Sequence, residues 1–388
     1  MRLAVTISSQ VGQVGLVGSV GQVGALDPGG PVGGAVTARA AWQRQNRLLL
    51  AAEYESGQVV LQGRPVHLKL ELTNFCNLAC PMCPHGQMQR SVGHMEPALF
   101  CSILDQAGPA LEFAYVHHLG ESLLHPRVGE LIAEGKRRGV AMGLSTNASF
   151  LDARKSRALL HSGLDFLVIS LDAASDQAYA QLRRGGDFAR TTDNVRRFLM
   201  QLRTSGSALR PVIQMIVSDH NRSEMQRFAE QWEGLAVFKA ARDWAGQVSL
   251  LPLRLGKSAP SGAGQGAGAG LGPAVEPVGK PPSLPPCRLL WTELTVMWDG
   301  RVVPCANHYD PVNVLGDLSR QSLAEVWNGS ALQRLRQRHL QDQVAGIPVC
   351  QTCPRHPLSR EDFVAHDQLT QRLRNYVNTD GELRAGLS

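Results

Sequence analysis

Residues 67–84 read H-L-K-L-E-L-T-N-F-C-N-L-A-C-P-M-C-P. The first seven alternate apolar and polar side chains, the pattern of a half-buried strand. The loop that follows carries Cys76, Cys80 and Cys83 in a C-x3-C-x2-C spacing. Thiols so spaced can wrap one compact ion or cluster from a single loop. Three protein ligands leave one coordination position open, as a reactive centre needs, whereas a closed structural zinc site takes four. His85 is the candidate fourth ligand for the zinc alternative. An iron–sulfur cluster is the other common thiolate-held centre.

Outward from this loop, β-rich runs alternate with amphipathic segments. Strands are expected over 67–73, 113–119, 141–146, 166–171, 211–217 and 236–240, and helices near 96–107, 128–138, 152–162, 187–204 and 222–233. Alternation with short connections implies βαβ units and a parallel sheet. Six units fit into 66–250, fewer than the eight of a closed barrel. The expected fold class is α/β, a partial (β/α)6 TIM-like barrel followed by a smaller domain.

The flanks read differently. Residues 1–65 are expected to be a low-complexity, disordered tail, with V-G-Q-V-G-L-V-G-S-V-G-Q-V-G at 11–24. That Gly spacing is too short and too poor in Pro for collagen, and Gly and Gln interrupt any signal-peptide core. Residues 251–286, rich in Gly, Ala and Pro, read as a linker. A small domain is expected over 287–357 and a polar helical tail over 358–388.

The chain has 388 residues and a formal net charge of +6. It has no block of like charges that would make a nucleic-acid tail and no run of about 18 apolar residues that would span a membrane, so neither partner is expected. Of eight cysteines, seven fall in 76–83 and 287–353. Clustered thiols in a long chain read as metal or cluster ligands in a reducing compartment, here the cytoplasm. Cys101, in L-F-C-S-I-L, reads as a core thiol.

The C-x3-C-x2-C loop after the first strand resembles the signature of the radical S-adenosylmethionine (SAM) superfamily. In that family the loop holds a [4Fe–4S] cluster whose open iron is chelated by SAM, and one electron yields a 5′-deoxyadenosyl radical. The resemblance extends to other strand ends. Gly120-Glu121 is similar to the family's G-G-E-P motif, with Leu119 for the first Gly and Ser122 for the Pro. Ser145-Thr146-Asn147 and Ser170-Leu171-Asp172 stand where the family contacts SAM, and Arg183-Arg184-Gly185-Gly186 resembles its basic segment. The SAM-binding set implied is Gly120, Glu121, Asn147, Ser170, Asp172 and Arg184. Cys287, Cys305, Cys350 and Cys353 resemble the ligands of a SPASM/twitch auxiliary domain of α+β type. Four cysteines imply one auxiliary [4Fe–4S] cluster, with a four-cysteine zinc site as the alternative. Asp299-Gly300 reads as the hairpin turn between two of that domain's strands.

The resemblance implies an enzyme served by a one-electron donor such as flavodoxin or ferredoxin. The auxiliary cluster favours net oxidation of a small molecule (an alcohol, sugar or aminocyclitol). The alternatives are a peptide or protein maturase with the same chemistry and a non-catalytic zinc-binding module. The small-molecule preference rests on the four-cysteine arrangement, which resembles that of aminocyclitol dehydrogenases, and on residues 1–65 being too irregular to form a peptide-docking region. His117, His118 and His125 flank the Glu121 loop and read as structural. Trp244 reads as packing, with Arg242 and Asp243 as candidate substrate contacts.

Overall fold

In the computed structural model, which describes residues 32–241, 244, 245, 247 and 285–353, each of the six expected strands forms. They are β1 (His67–Leu70), β2 (Phe113–Tyr115), β3 (Ala141–Thr146), β4 (Phe166–Ser170), β5 (Arg210–Val217) and β6 (Ala236–Ala240). All pair in parallel in the order β6-β5-β4-β3-β2-β1. Helices α2 (Pro97–Ala107), α3 (Val128–Arg137), α4 (Ala153–His161), α5 (Asp176–Leu182), α6 (Phe188–Ser205) and α7 (Met225–Gln231) connect them.

Local chemistry sets the helix starts. Asp152, Ser175 and Asp187 accept hydrogen bonds from the backbone N–H groups of Lys155, Ala178 and Arg190, capping α4, α5 and α6. Pro97 opens α2 where a missing N–H costs nothing. The β4 strand is buried along its whole length, as expected of a strand covered on both faces.

The smaller C-terminal region joins this sheet. Helices α8 (Leu289–Thr292), α9 (Leu323–Trp327) and α10 (Ser330–Leu340) accompany strands β7 (Glu293–Val296), β8 (Arg301–Val303) and β9 (Gly316–Asp317). β7 pairs in parallel with β1, in register His67 with Glu293 through Leu70 with Val296. β8 returns antiparallel through the expected turn, where Gly300 sits at φ +95. One nine-stranded sheet therefore runs through both regions.

Residues 38–65 correct the expectation of a disordered 1–65 tail. Helix α1 (Val32–Glu55) packs on the core, with Leu50 and Ala51 fully buried. Its polar side chains satisfy neighbouring backbone. Arg39 donates to the carbonyls of Arg138 (2.8 Å) and Leu111 (2.9 Å), Asn46 exchanges two bonds with Arg64 (2.9 Å each), and Arg47 pairs with Glu112. The segment after α1 binds the C-terminal region. Trp291 Nε1 donates to the Gln58 carbonyl (2.9 Å), and Trp327 Nε1 to that of Gly63 (2.7 Å). Arg336, fully buried, donates to the carbonyls of Val59 (2.8 Å), Leu290 (2.9 Å) and Trp327 (3.0 Å). Burial lowers its pKa to about 9. Residues 1–31, most of the expected 251–286 linker, the 358–388 tail, Arg242 and Asp243 lie outside the described residues.

Candidate active site and auxiliary cysteine site

A cavity of about 330 Å³ opens at the C-terminal ends of the parallel strands and is lined by Cys76, Cys80 and Cys83. Several contacts pin the loop that carries them. Ala79 N–H donates to the Arg184 carbonyl (2.9 Å), Trp244 Nε1 to that of Met82 (3.2 Å), and Asn74 Nδ2 to that of Ser91 (2.9 Å). His85 Nε2 bonds the Asn74 carbonyl (2.8 Å), so this ring braces the loop rather than standing ready as a fourth ligand.

None of the eight cysteines forms a disulfide. Burial pushes Cys76 up to about 11 and Cys83 up to about 12, with neighbouring cysteines adding to the rise. Bare thiols at Cys76 and Cys83 would stay protonated, so their thiolate forms call for a cationic centre beside them. Among the described residues no three His, Cys, Asp or Glu side chains converge tightly enough for a single metal ion. Three thiols on one loop are a donor set that fits an iron–sulfur cluster.

The structure brings most expected SAM-site residues to this cavity. Gly120, Glu121, Asn147, Ser170 and Asp172 all line it. Gly120 has φ +78, and a Cβ there would lie 2.6 Å from the Thr73 carbonyl oxygen, so only glycine lets the β2 loop press against the cysteine loop. Glu121 is 2 % exposed and its carboxylate is already engaged. It accepts from Thr146 Oγ1 (2.8 Å) and from the backbone N–H groups of Asn147 (2.7 Å) and Leu123 (3.0 Å). It clamps the β2 and β3 ends together. Asn147 Nδ2 donates to Asn77 Oδ1 (3.0 Å), reaching the cysteine loop from β3. Ser170 Oγ accepts from Gln214 Nε2 (3.3 Å).

Arg184 is a correction. It is exposed and contributes only its carbonyl, whereas Arg183 turns into the cavity. Arg183 ends α5 and pairs through Nη2 with buried Asp172 (2.6 Å), while Nη1 lies 3.6 Å from Cys80 Sγ. Burial raises the Asp172 carboxyl, and Arg183 opposes that rise. Nothing in the R-R dipeptide marks which arginine turns inward. Sequence reasoning also missed Lys69, Tyr115, Gln214, Lys239 and Asn307 on the wall, and Trp244 lines it as well as packing. His125 is structural as expected, bonding the Met95 carbonyl (3.1 Å).

The second cysteine group is assembled from three segments. Cys287 precedes α8, Cys305 follows β8, and Cys350 and Cys353 lie in the final described turns. Burial raises the Cys305 thiol far above its usual range, and Cys287, Cys350 and Cys353 all push it further. All four are therefore neighbours. His308 Nδ1 lies 3.4 Å from Cys305 Sγ, and Asn307 Nδ2 lies 3.9 Å from Cys353 Sγ.

The loop after Cys305 belongs to both sites. Ala306 and Asn307 form part of the cavity wall. The His308 carbonyl accepts from His118 Nε2 (3.1 Å). Arg90 Nε donates to the Tyr309 carbonyl (2.8 Å), and Asp310 accepts from the Gln89 N–H (3.0 Å). Arg90 also makes a bidentate pair, 2.5 Å per bond, with Glu71 at the end of β1. Both side chains are buried, at 1 % and 0 % exposure.

Comparison with known proteins agrees with this geometry. The family description Radical SAM superfamily matches residues 70–229, and the iron–sulfur cluster-binding domain SPASM matches 287–354. The tungsten-containing aldehyde ferredoxin oxidoreductase cofactor-modifying protein of Pyrococcus furiosus is 27% identical over 288 residues, covering 67% of this chain and 80% of that protein. A PqqA peptide cyclase of Xanthomonas euvesicatoria pv. vesicatoria is 27% identical over 319 residues, covering 76% and 81%. Among solved structures, Streptococcus suis SuiB bound to precursor peptide SuiA shares the fold, with a TM-score of 0.54 at 14% identity over 73% of this chain and 68% of that one.

Proposed function

Because this chain belongs to the radical SAM superfamily and carries a SPASM iron–sulfur domain, we propose that it is a maturase that removes a hydrogen atom from a peptide substrate. The observation that carries this reading is its similarity, over 76% of its length, to a peptide cyclase. One ground for a small molecule was an irregular 1–65 segment, and α1 with the 56–63 stretch weakens that ground.

Cys76, Cys80 and Cys83 would hold the cluster that binds SAM, and Cys287, Cys305, Cys350 and Cys353 the auxiliary cluster. When bound, SAM and the reduced cluster supply a 5′-deoxyadenosyl radical. The chain's own residues position and shield. Glu121 and Asn147 tie β2 and β3 to the cysteine loop. Arg183 sets positive charge beside Cys80, and Asp172 holds the guanidinium in place. Ala306 and Asn307 close the wall between the two cysteine groups. The net redox outcome and the electron donor, a flavodoxin or ferredoxin, belong to the same proposal.

The test is anaerobic reconstitution with iron, sulfide, SAM and reductant, followed by addition of candidate precursor peptides encoded beside the gene. The expected result is a brown protein that forms 5′-deoxyadenosine, with a peptide product of altered mass. A colourless protein that retains zinc and leaves SAM intact would overturn the enzyme reading. SAM-dependent oxidation of an aminocyclitol or sugar, with every peptide left unchanged, would restore the small-molecule reading.

A further inference from the structure

The charged groups on the cavity wall are matched. Glu121 takes three donors from the β2 and β3 ends, and Asp172 takes Arg183 and the Ile216 N–H (2.6 Å). Arg183 is held in turn by Asp172 and Cys80. Lys69 reaches Glu293 (3.5 Å), and Lys239 has an interaction of its own. A charged substrate group would have to displace one of these partners or lie buried and unpaired, which is costly. Neutral groups on the wall are matched too. Ser170 and Gln214 bond each other (3.3 Å), and His118 Nε2 bonds the His308 carbonyl (3.1 Å).

His117 differs. It lines the cavity two residues past β2, and its Nδ1 is buried without a hydrogen-bond partner. The Tyr115 ring meets it edge-on, with centroids 5.7 Å apart at 87°. A buried polar atom left unbonded costs about 1–3 kcal/mol, and a ligand in the cavity can supply the missing bond. Burial first, then His118, Lys69, Lys239 and Arg183, lower the His117 pKa to about 3. The ring is therefore neutral across about pH 5–8 and too weak a base to take a proton there. In a neutral imidazole Nδ1 donates in one tautomer and accepts in the other, and a hydroxyl answers either. A carboxylate only accepts and an ammonium only donates. A primary amide answers both, but brings a second polar end that needs its own partner.

We propose that His117 is a specificity-determining residue of the cavity, whose Nδ1 hydrogen-bonds a substrate hydroxyl, so that the enzyme acts at or beside a hydroxyl-bearing residue of its peptide. This inference rests on the peptide-maturase reading. It separates His117 from His118 and His125, which bond backbone carbonyls, and it adds a determinant of specificity that the cysteine motifs do not encode.

The test compares two peptides that differ only in one hydroxyl, acetyl-Gly-Ser-Gly-amide and acetyl-Gly-Ala-Gly-amide. Binding is measured by anaerobic calorimetry on the cluster-loaded full chain with SAM and without reductant. The Ser peptide is expected to bind about tenfold more tightly. The preference should vanish in His117→Phe, which keeps a ring but no nitrogen. It should persist in His117→Asn, whose carboxamide sets a polar atom near the Nδ1 position. Equal binding of the two peptides to the wild type, binding of neither, or a preference that survives His117→Phe overturns the proposal. Should the Phe variant not fold, the wild type still decides through pH. A neutral ring keeps the preference unchanged from pH 8 to pH 5, and a preference lost as pH falls through about 6.5 overturns the assignment. Mass change in precursor peptides, with reductant added to the same preparation, is scored separately. Turnover without Ser preference removes only the hydroxyl contact, whereas Ser preference without turnover removes only the maturase reading.

Discussion

The two cysteine groups are built in opposite ways. The first draws three thiols from one loop, over 76–83, at the mouth of a cavity, and depends on neighbouring strand ends to hold that loop. The second draws four from three segments spread over 287–353, ahead of α8, after β8 and in the final described turns. Few ligands on one loop leave a coordination position for chemistry. Four ligands from scattered segments close a centre and tie those segments together. The contrast separates a three-thiol site on one loop at a cavity from a four-thiol site drawn from scattered segments, and the Cys305–Asp310 loop joins the two.

The strongest way to break this comparison is to remove the first group. Replacing Cys76, Cys80 and Cys83 with Ala should abolish 5′-deoxyadenosine formation while iron at the second group remains. Reductive SAM cleavage by that variant would show that the roles have been exchanged. Replacing Cys350 and Cys353 with Ala should instead lower iron toward about four per chain and stop peptide turnover, with SAM cleavage retained. Metal content and nucleoside formation, measured on one preparation, check both variants. Full peptide turnover in a soluble Cys350/Cys353 variant would reduce the second group to an accidental feature.

A third variant tests the joint. Arg90→Met leaves the buried Glu71 carboxylate without its bidentate partner and releases the Tyr309 carbonyl. Breaking one side of a buried pair costs about 3–5 kcal/mol, read as a shift in denaturant midpoint. A loss under ~1 kcal/mol would mean that the two regions are not coupled through this pair.

The smallest effect concerns pH. Burial lowers His118 to about 3 and His308 to about 4, whereas in the unfolded chain both bind a proton near 6.5. Their contribution to stability is therefore complete above about pH 6.5 and is lost as pH falls through 6 and 5. One such group adds at most ~1.4 kcal/mol per pH unit. His118→Gln should flatten the acid limb of a denaturation series run from pH 7 to 5. An unchanged slope would place the His118 ring in water.

The parts legible in the sequence share one property, a local signal. The strand at 67–73, the cysteine spacing that follows and the Asp299-Gly300 hairpin can each be read within a short window. What escaped depends on distance or on polar burial. Helix α1 hides because its inward face carries Asn46, Arg47 and Glu53, all at most 6 % exposed, so no apolar stripe announces it. Lys69 and Lys239 become neighbours of one cavity only once the sheet curls. The pairing of β7 with β1 crosses most of the chain and leaves no mark on either segment.

That last pairing sets a schedule for the ribosome. Leu68 and Leu70 of β1 emerge early, flanked by a strand edge that has no partner until residues 293–296 follow. An open edge is a template for mispairing with other chains. At ordinary translation speeds the wait is on the order of tens of seconds. The nascent protein thus spends most of its synthesis with the β1 edge of its sheet open, and a message cut before residue 293 yields a product with an adhesive border in place of a completed sheet.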